Sequence, residues 1–475
     1  MTSVECFERP VTLRLPFRFG TATVNEAPQA FVRATIRTTD GRVASGIAAD
    51  MMIPKWFDKS PVRSNEQNVD DLRVSLIFAN EAYTSNSAPR SAFGHASFHY
   101  RALLDHGVAR GLNALTASYG AALVDRAVLD ALCRMRGVSI GTGLWLNLPG
   151  LGADLTPDLA HFDFDAFLSS LPALTSIDAR HTVGMMDPLT SDDVDDEAAP
   201  DDGLPVALTD VISRYGNRYF KLKLRGDVAA DIARLVRIAL VLEPLGEYRI
   251  TLDGNEQFAD MHALDSFHDA LRAEPRLARL REATLYVEQP LPRAIALEAD
   301  VHAFGRSMPL IIDESDATID AFPQAHGQGY AGVSSKSCKG FYKSLLNAAR
   351  CVRWNAGFAA LPAFMTGEDL TAQPGIALQQ DLALAGLIGL AHVERNGHHY
   401  ATGFAGQHAS VAEQQGFLTA HPDLYESFGA GVRLCIRDGR IALGSLAAPG
   451  LASAALAGSR DDEAVARSSG ARQVL

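Results

Sequence analysis

Six residues carry the chemistry this sequence can support, and each lies at the end of a short apolar run. Lys221 and Lys223 stand one residue apart in YFKLKLRGD (219–227). Asp253 follows RITL, Glu288 follows TLYV, Asp313 follows LII and Lys336 follows GVSS. In a strand, residues i and i+2 share a face, so the two lysines point together. Taken alone, such a pair reads as an exposed strand end. The acids change that reading. A single acid after an apolar run is usually a helix cap or a loop residue. Three acids at the ends of successive barrel strands would converge, and three buried like charges do not stay ionised together without a cation. Hard oxygen ligands with room for water favour Mg2+. A metal-bound substrate carboxylate would then lie between Lys223 and Lys336. The cation and the neighbouring ammonium would lower a lysine pKa, so that a neutral amine could remove a proton.

The elements that must position these residues follow from periodicity. Residues 1–60 read as strands, with Asp40-Gly41 at a hairpin turn in FVRATIRTTDGRVASGIAA. From about 65 to 137 the apolar residues recur at helical spacing, which makes residues 1–150 an α+β domain. From about 178 an apolar run, a loop and an amphipathic helix recur in order. The runs are HTVGMM, YFKLKL, RITLDGN, TLYVEQP, LIIDES, GVSSKS, FAALPAFMTG and LAHVERN. Strand–helix alternation implies right-handed parallel units, and eight of them imply a closed (β/α)8-type barrel over residues 175–405. A Rossmann-type sheet would need a Gly-rich fingerprint after a strand, and SIGTG (139–143) matches it poorly. The stretch SDDVDDEAAPDDG (191–203), with seven acids and no base, reads as a solvated loop. VRLCIRDGRIALG reads as a late hairpin returning to the N-terminal domain, and the last residues read as a surface helix or a disordered end.

The motifs KLK, DGN, EQP, DES and SSKSCKG, in this order, resemble the enolase superfamily, within it the mandelate racemase/muconate lactonizing enzyme group with a lysine on each side of the substrate. The resemblance covers most of the chain. It implies a modified TIM barrel under an N-terminal α+β capping domain that residues 406–475 complete. It implies Asp253, Glu288 and Asp313 as Mg2+ ligands, Lys223 and Lys336 as the acid/base pair, and Lys221 as a charge that neutralises the developing enolate oxygen. Substrate contacts are expected from Glu394 and Asn396 at the mouth of the last strand, and from Lys55 and Trp56 in the cap. For Glu394 a structural ion pair is the competing reading; for Trp56 it is internal packing, and for Lys55 an ordinary solvated lysine. The substrate-facing loops are placed at 17–26 and 51–60. Several features depart from the group. The interval from Asp253 to Glu288 is long and suggests an enlarged third helix. HVERNGHHYATGF matches no characterised member, and Glu314 competes with Asp313 as the third ligand. His398 and His399 could shuttle protons or bind metal, though a loop histidine more often bonds backbone. Glu368 and Asp369 read as caps of the next helix.

The expected reaction is Mg-dependent abstraction of a proton α to a carboxylate, by a racemase, epimerase or cycloisomerase acting on a small carboxylate. A dehydratase of the same superfamily is the alternative, although most such relatives carry a His–Asp dyad where Lys336 stands. A non-catalytic carboxylate-binding barrel is the alternative of another class. The bulk composition agrees with a small-molecule site. A formal charge of −13 over 475 residues, without clustered Lys and Arg, argues against a nucleic-acid partner. No apolar run is long enough to span a membrane, and no signal peptide is apparent. Five scattered cysteines fit reduced thiols in the cytoplasm. The resemblance implies a homo-oligomer, dimer or octamer.

Overall fold

The computed structural model describes residues 1–19, 22–173, 175–195, 197, 199–357, 361–429, 431–455 and 472–473. Most of the 457–475 tail, and Gly20 and Thr21 of the expected 17–26 loop, lie outside these residues.

The N-terminal sheet is built first from β1 (Ser3–Phe19), β2 (Ala22–Arg37) and β3 (Val43–Met51), all antiparallel, and takes a fourth strand from the chain's end. Gly41, at φ +90°, turns β2 into β3 at the expected Asp-Gly. Three helices follow: α1 (Asn65–Ser85), α2 (Ala92–Ala109) and α3 (Ala114–Arg136). Ser64 and Gln67 close a reciprocal cap at the start of α1, and Gly137 in the left-handed conformation ends α3. The sheet and α3 meet at Gly46, where an added Cβ would lie 2.2 Å from the Ala131 nitrogen. Two short helices, α4 (Ile140–Trp145) and α5 (Phe164–Ser169), lead to the barrel.

Eight parallel strands form that barrel: β4 (Ser176–Val183), β5 (Tyr219–Lys223), β6 (Arg249–Asp253), β7 (Thr284–Glu288), β8 (Leu310–Ile312), β9 (Gly332–Ser335), β10 (Phe364–Gly367) and β11 (His392–Glu394). Pairing of β11 with β4 closes it. Its helices are α6 (Leu208–Tyr215), α7 (Val228–Leu242), α8 (Met261–Ala273), α9 (Ala278–Ala283), α10 (His302–Gly305), α11 (Ala321–Gly327), α12 (Phe341–Asn355), α13 (Ile376–Leu387) and α14 (Val411–Ala420). Each expected run contains or overlaps one strand. The long interval between Asp253 and Glu288 holds two helices in place of one enlarged helix. Pro275 lacks the amide hydrogen needed to continue α8, and the chain restarts as α9.

After the barrel come β12 (Tyr425–Phe428), β13 (Gly431–Leu434), β14 (Arg440–Ala442) and β15 (Arg472–Gln473). The late hairpin divides its loyalties. β13 pairs with β12, whereas β14 adds antiparallel to β4 of the barrel, and it is β15 that pairs with β1. The acidic stretch is also more anchored than a solvated loop: Asp202 pairs with buried Arg14 of β1 at 2.7 Å, and Asp193 with Arg237 at 2.7 Å.

Candidate active site

Register places the site residues. Lys223 is paired with Asp253, and Asp253 with Glu288, so the ends of β5, β6 and β7 carry one continuous row of charged side chains. Glu288 is paired with Ile311, which puts Asp313 two residues further toward the mouth, level with Ser334 of β9. All of these side chains are buried.

Lys221 stands at the centre of a carboxylate cage. Its Nζ lies 2.9 Å from Asp253, 2.8 Å from Glu288, 2.9 Å from Glu368 and 3.0 Å from Glu394. Burial opposes its charge, but Asp253 and the other carboxylates outweigh burial and hold its pKa well above the ordinary value. Lys223 donates to Asp253 at 2.6 Å and to Asn255 at 2.7 Å. Lys336 donates to Asp313 at 2.6 Å and lies 4.2 Å from the centre of the Trp56 ring. Burial works against the Lys336 ammonium too, and Asp313 again prevails and raises its pKa. Asp313 also accepts from the Ser334 hydroxyl and, at 3.4 Å, from Lys339. Glu314 turns elsewhere, to Lys59 at 3.1 Å and Asn255 at 3.3 Å, so Asp313 alone of the adjacent acids faces Lys336.

A small cavity opens between these groups and the cap. Lys223, Lys336, Asp313 and Glu394 line its barrel side, and Phe17 and Trp56 its cap side. Trp56 is only 3% exposed and also packs edge-on against Phe57, so the packing role and the cavity role coincide. Glu394 accepts from Lys221 and from the Thr182 hydroxyl, which makes it an ion-pair member that also faces the cavity.

Three expectations are corrected. Lys55, at φ +66°, bends its ammonium back onto the carbonyls of Ser60 and Arg63, away from the cavity. Lys59 is the cap lysine that reaches the barrel, at the Asn255 carbonyl and Glu314. Asn396 accepts the Thr182 amide at 2.6 Å and so closes the β4–β11 seam, outside the residues lining the lysine cavity. Glu368 and Asp369 cap no helix, because α13 begins at Ile376 with Gly375 before it. Neither His398 nor His399 lines the lysine cavity. His398 bonds the Tyr215 hydroxyl at 2.6 Å, and burial lowers its pKa to about 3; His399 reaches Asp187 at 3.3 Å. Glu368 and Arg180 join the site although no strand-end motif marks them. Arg180, wholly buried on β4, pairs with Glu368, which also accepts from Tyr286 at 3.0 Å.

Among the described residues no three His, Cys, Asp or Glu side chains stand in a metal-holding arrangement; the Lys221 ammonium lies between Asp253 and Glu288. The donor set nevertheless fits a hard divalent cation. Burial, then Asp253 and Glu368, push the Glu288 carboxyl well above its ordinary range, with Lys221 offsetting only part of this. Beside Lys221, the groups around that acid are the carboxylates of Asp253 and Glu368, oxygen donors of the kind a hard cation takes.

No protein-family model and no curated protein matches this chain. Solved structures do. An enolase from Streptomyces coelicolor is 17% identical with a TM-score of 0.57, over 99% of this chain and 96% of that one. The 2-chloromuconate cycloisomerase of Rhodococcus opacus 1CP is 16% identical with a TM-score of 0.57, over 95% of each chain. The dipeptide epimerase of Methylococcus capsulatus, solved with Mg and the dipeptide L-Arg-D-Lys, is 16% identical with a TM-score of 0.52, over 93% of this chain and 99% of that one. The fold of this chain is therefore the capped barrel of these three structures.

Proposed function

We propose that the chain is an enzyme that removes the proton α to the carboxylate of a small acid, with Lys223 and Lys336 as the acid/base pair. The carrying observation is that both ammonium groups line one cavity, Lys223 from the end of β5 and Lys336 from the residue after β9, each held by a different carboxylate. Asp253, Glu288 and Asp313 would hold Mg2+, which would supply positive charge against the charge developing on the substrate carboxylate. Lys221 keeps a fixed positive charge beside the same centre. Trp56 and Phe17 exclude water from the cap side. Among the described residues lining the cavity there is no histidine, which favours racemisation, epimerisation or cycloisomerisation over a dehydratase built on a His–Asp dyad. The expected setting is a cytoplasmic homo-oligomer, dimer or octamer, which light scattering tests; no helix among the described residues is long and apolar enough to cross a membrane.

The test is deuterium exchange at the α-carbon in heavy water, followed by NMR on a panel of small carboxylates beginning with dipeptides. One side chain cannot reach both faces of a planar intermediate. Lys336→Met should therefore abolish racemisation and spare exchange from one enantiomer, and Lys223→Met should spare the other. Undiminished exchange in both directions for either variant removes the two-base mechanism. No exchange across the panel, with Mg2+ bound, replaces the enzyme by a carboxylate-binding barrel.

A further inference from the structure

A second cavity lies at the seam between α2 and α3 of the cap and the start of α12, and shares no lining residue with the lysine cavity. Its walls are largely apolar: Ala96 of α2, Ala121 and Ala122 of α3, Leu346 of α12. Its charged groups are Asp125 on α3 and Lys339 and Lys343 around the start of α12. Lys343, 7% exposed, donates to the Asp316 carbonyl and lies 3.2 Å from its carboxylate. Lys339 shares that same carboxylate at 3.0 Å. The other acid within reach of Lys339, Asp313, is 3.4 Å away and already holds Lys336 at 2.6 Å. Two ammonium groups thus divide one carboxylate; burial, only partly offset by Asp316, lowers the Lys343 pKa to about 8, so its ammonium is still mostly charged at neutral pH.

Three further observations point the same way. The phenol of Tyr342, 4% exposed, is buried without a hydrogen-bond partner. Helix α12 begins at Phe341, after Gly340 and without a side-chain cap, and Lys339, Gly340, Tyr342 and Lys343 all line the cavity, so the positive end of the helix dipole opens onto it. Asp125, the acid on the α3 wall, accepts from Tyr83 at 2.6 Å, and burial raises its carboxyl to about 7, which reduces its charge at neutral pH.

From this geometry we infer a second binding site, for a small monoanion with an apolar body such as an aromatic or short-chain carboxylate. Its carboxylate would sit against Lys343, the Tyr342 hydroxyl and the first turn of α12, and its apolar part against the alanines of α2 and α3. Occupancy draws Lys343 away from Asp316 and leaves that carboxylate more fully to Lys339. None of its residues lines the reaction cavity, although Lys339 at its edge also reaches Asp313 at 3.4 Å.

Benzoate titrated by calorimetry is the direct test, with benzamide as the uncharged match. A ligand of this size in such a pocket reaches roughly millimolar affinity. Benzoate should bind wild type and Lys223→Met alike, the second keeping this site when the lysine cavity is altered. Lys343→Met should weaken binding at least tenfold, and Ala121→Phe, which fills the pocket from the α3 wall without replacing a charged residue, should do the same and stands if Lys343→Met does not fold. Benzamide should bind at least tenfold more weakly. Unchanged benzoate affinity in the folded variants, loss in Lys223→Met, equal binding of benzamide, or no saturable binding by wild type each overturns the assignment.

Discussion

Replacing Glu368 by glutamine should destabilise the protein far more than the loss of one hydrogen bond would. Each carboxylate oxygen of Glu368 faces donors only. Oε2 accepts from Lys221 at 2.9 Å; Oε1 accepts from Arg180, from Tyr286 at 3.0 Å and from Thr366 at 2.8 Å. A glutamine has one acceptor oxygen and one donor nitrogen. Whichever way its amide turns, the nitrogen meets either the Lys221 ammonium or the Arg180–Tyr286–Thr366 group. Arg180, wholly buried, also loses its only carboxylate partner at ion-pair distance among the described residues. Removing one member of a buried ion pair costs about 3–5 kcal/mol, mostly because the other charge stays buried and unpaired. Urea unfolding of Glu368→Gln should show a loss of that size. Arg180→Met in the same chain removes the stranded charge, so the double variant should be less destabilised than the sum of the singles by about 2 kcal/mol. A Glu368→Gln loss under about 1 kcal/mol, or strict additivity in the double variant, would refute the claim that the Lys221 cage depends on this acid.

Acid should destabilise the fold through its buried histidines. His421 has no exposed surface, accepts the Ala454 amide at Nε2 and bonds Ser445 at Nδ1, and burial lowers its pKa to about 4 from 6.5. A base with a depressed folded pKa gives stability that is complete above pH 6.5 and lost as pH falls toward 4, here about 3 kcal/mol. His421→Gln should flatten the pH dependence of urea unfolding by one proton, and an unaltered slope argues against the neutral buried ring. Asp253→Asn and Asp313→Asn should each weaken Mg2+ binding at least a hundredfold by calorimetry, about 2.7 kcal/mol; unchanged affinity in both rejects the ligand assignment. Trp56→Ala should leave Mg2+ affinity intact while slowing any α-proton exchange, since the ring covers Lys336 and touches no carboxylate of the cage in the described contacts; a lost metal site would show that the ring holds the barrel mouth instead.

The strand-end acids were legible because each follows an apolar run and precedes a break, and the parallel register then sets Lys223, Asp253 and Glu288 side by side. The choice between Asp313 and Glu314 was not legible. β8 ends at Ile312, and alternation of faces has no force beyond the last paired residue. Lys55 failed for a related reason: its left-handed backbone reverses the direction a lysine there would take, and nothing in IPKWF announces that turn. Glu368 illustrates the deeper limit. An acid after Thr-Gly reads as a cap, and its burial becomes understandable only beside Arg180, 188 residues earlier in the chain, and Tyr286 on a third strand. A charge in a barrel interior is tolerated when the opposite charge arrives from a neighbouring strand, so its meaning resides in the pairing and not in the local sequence. Local pattern therefore reveals where a strand ends, whereas the balance of charge around Lys221 emerges only when β4, β5, β6, β7, β10 and β11 are closed into one ring.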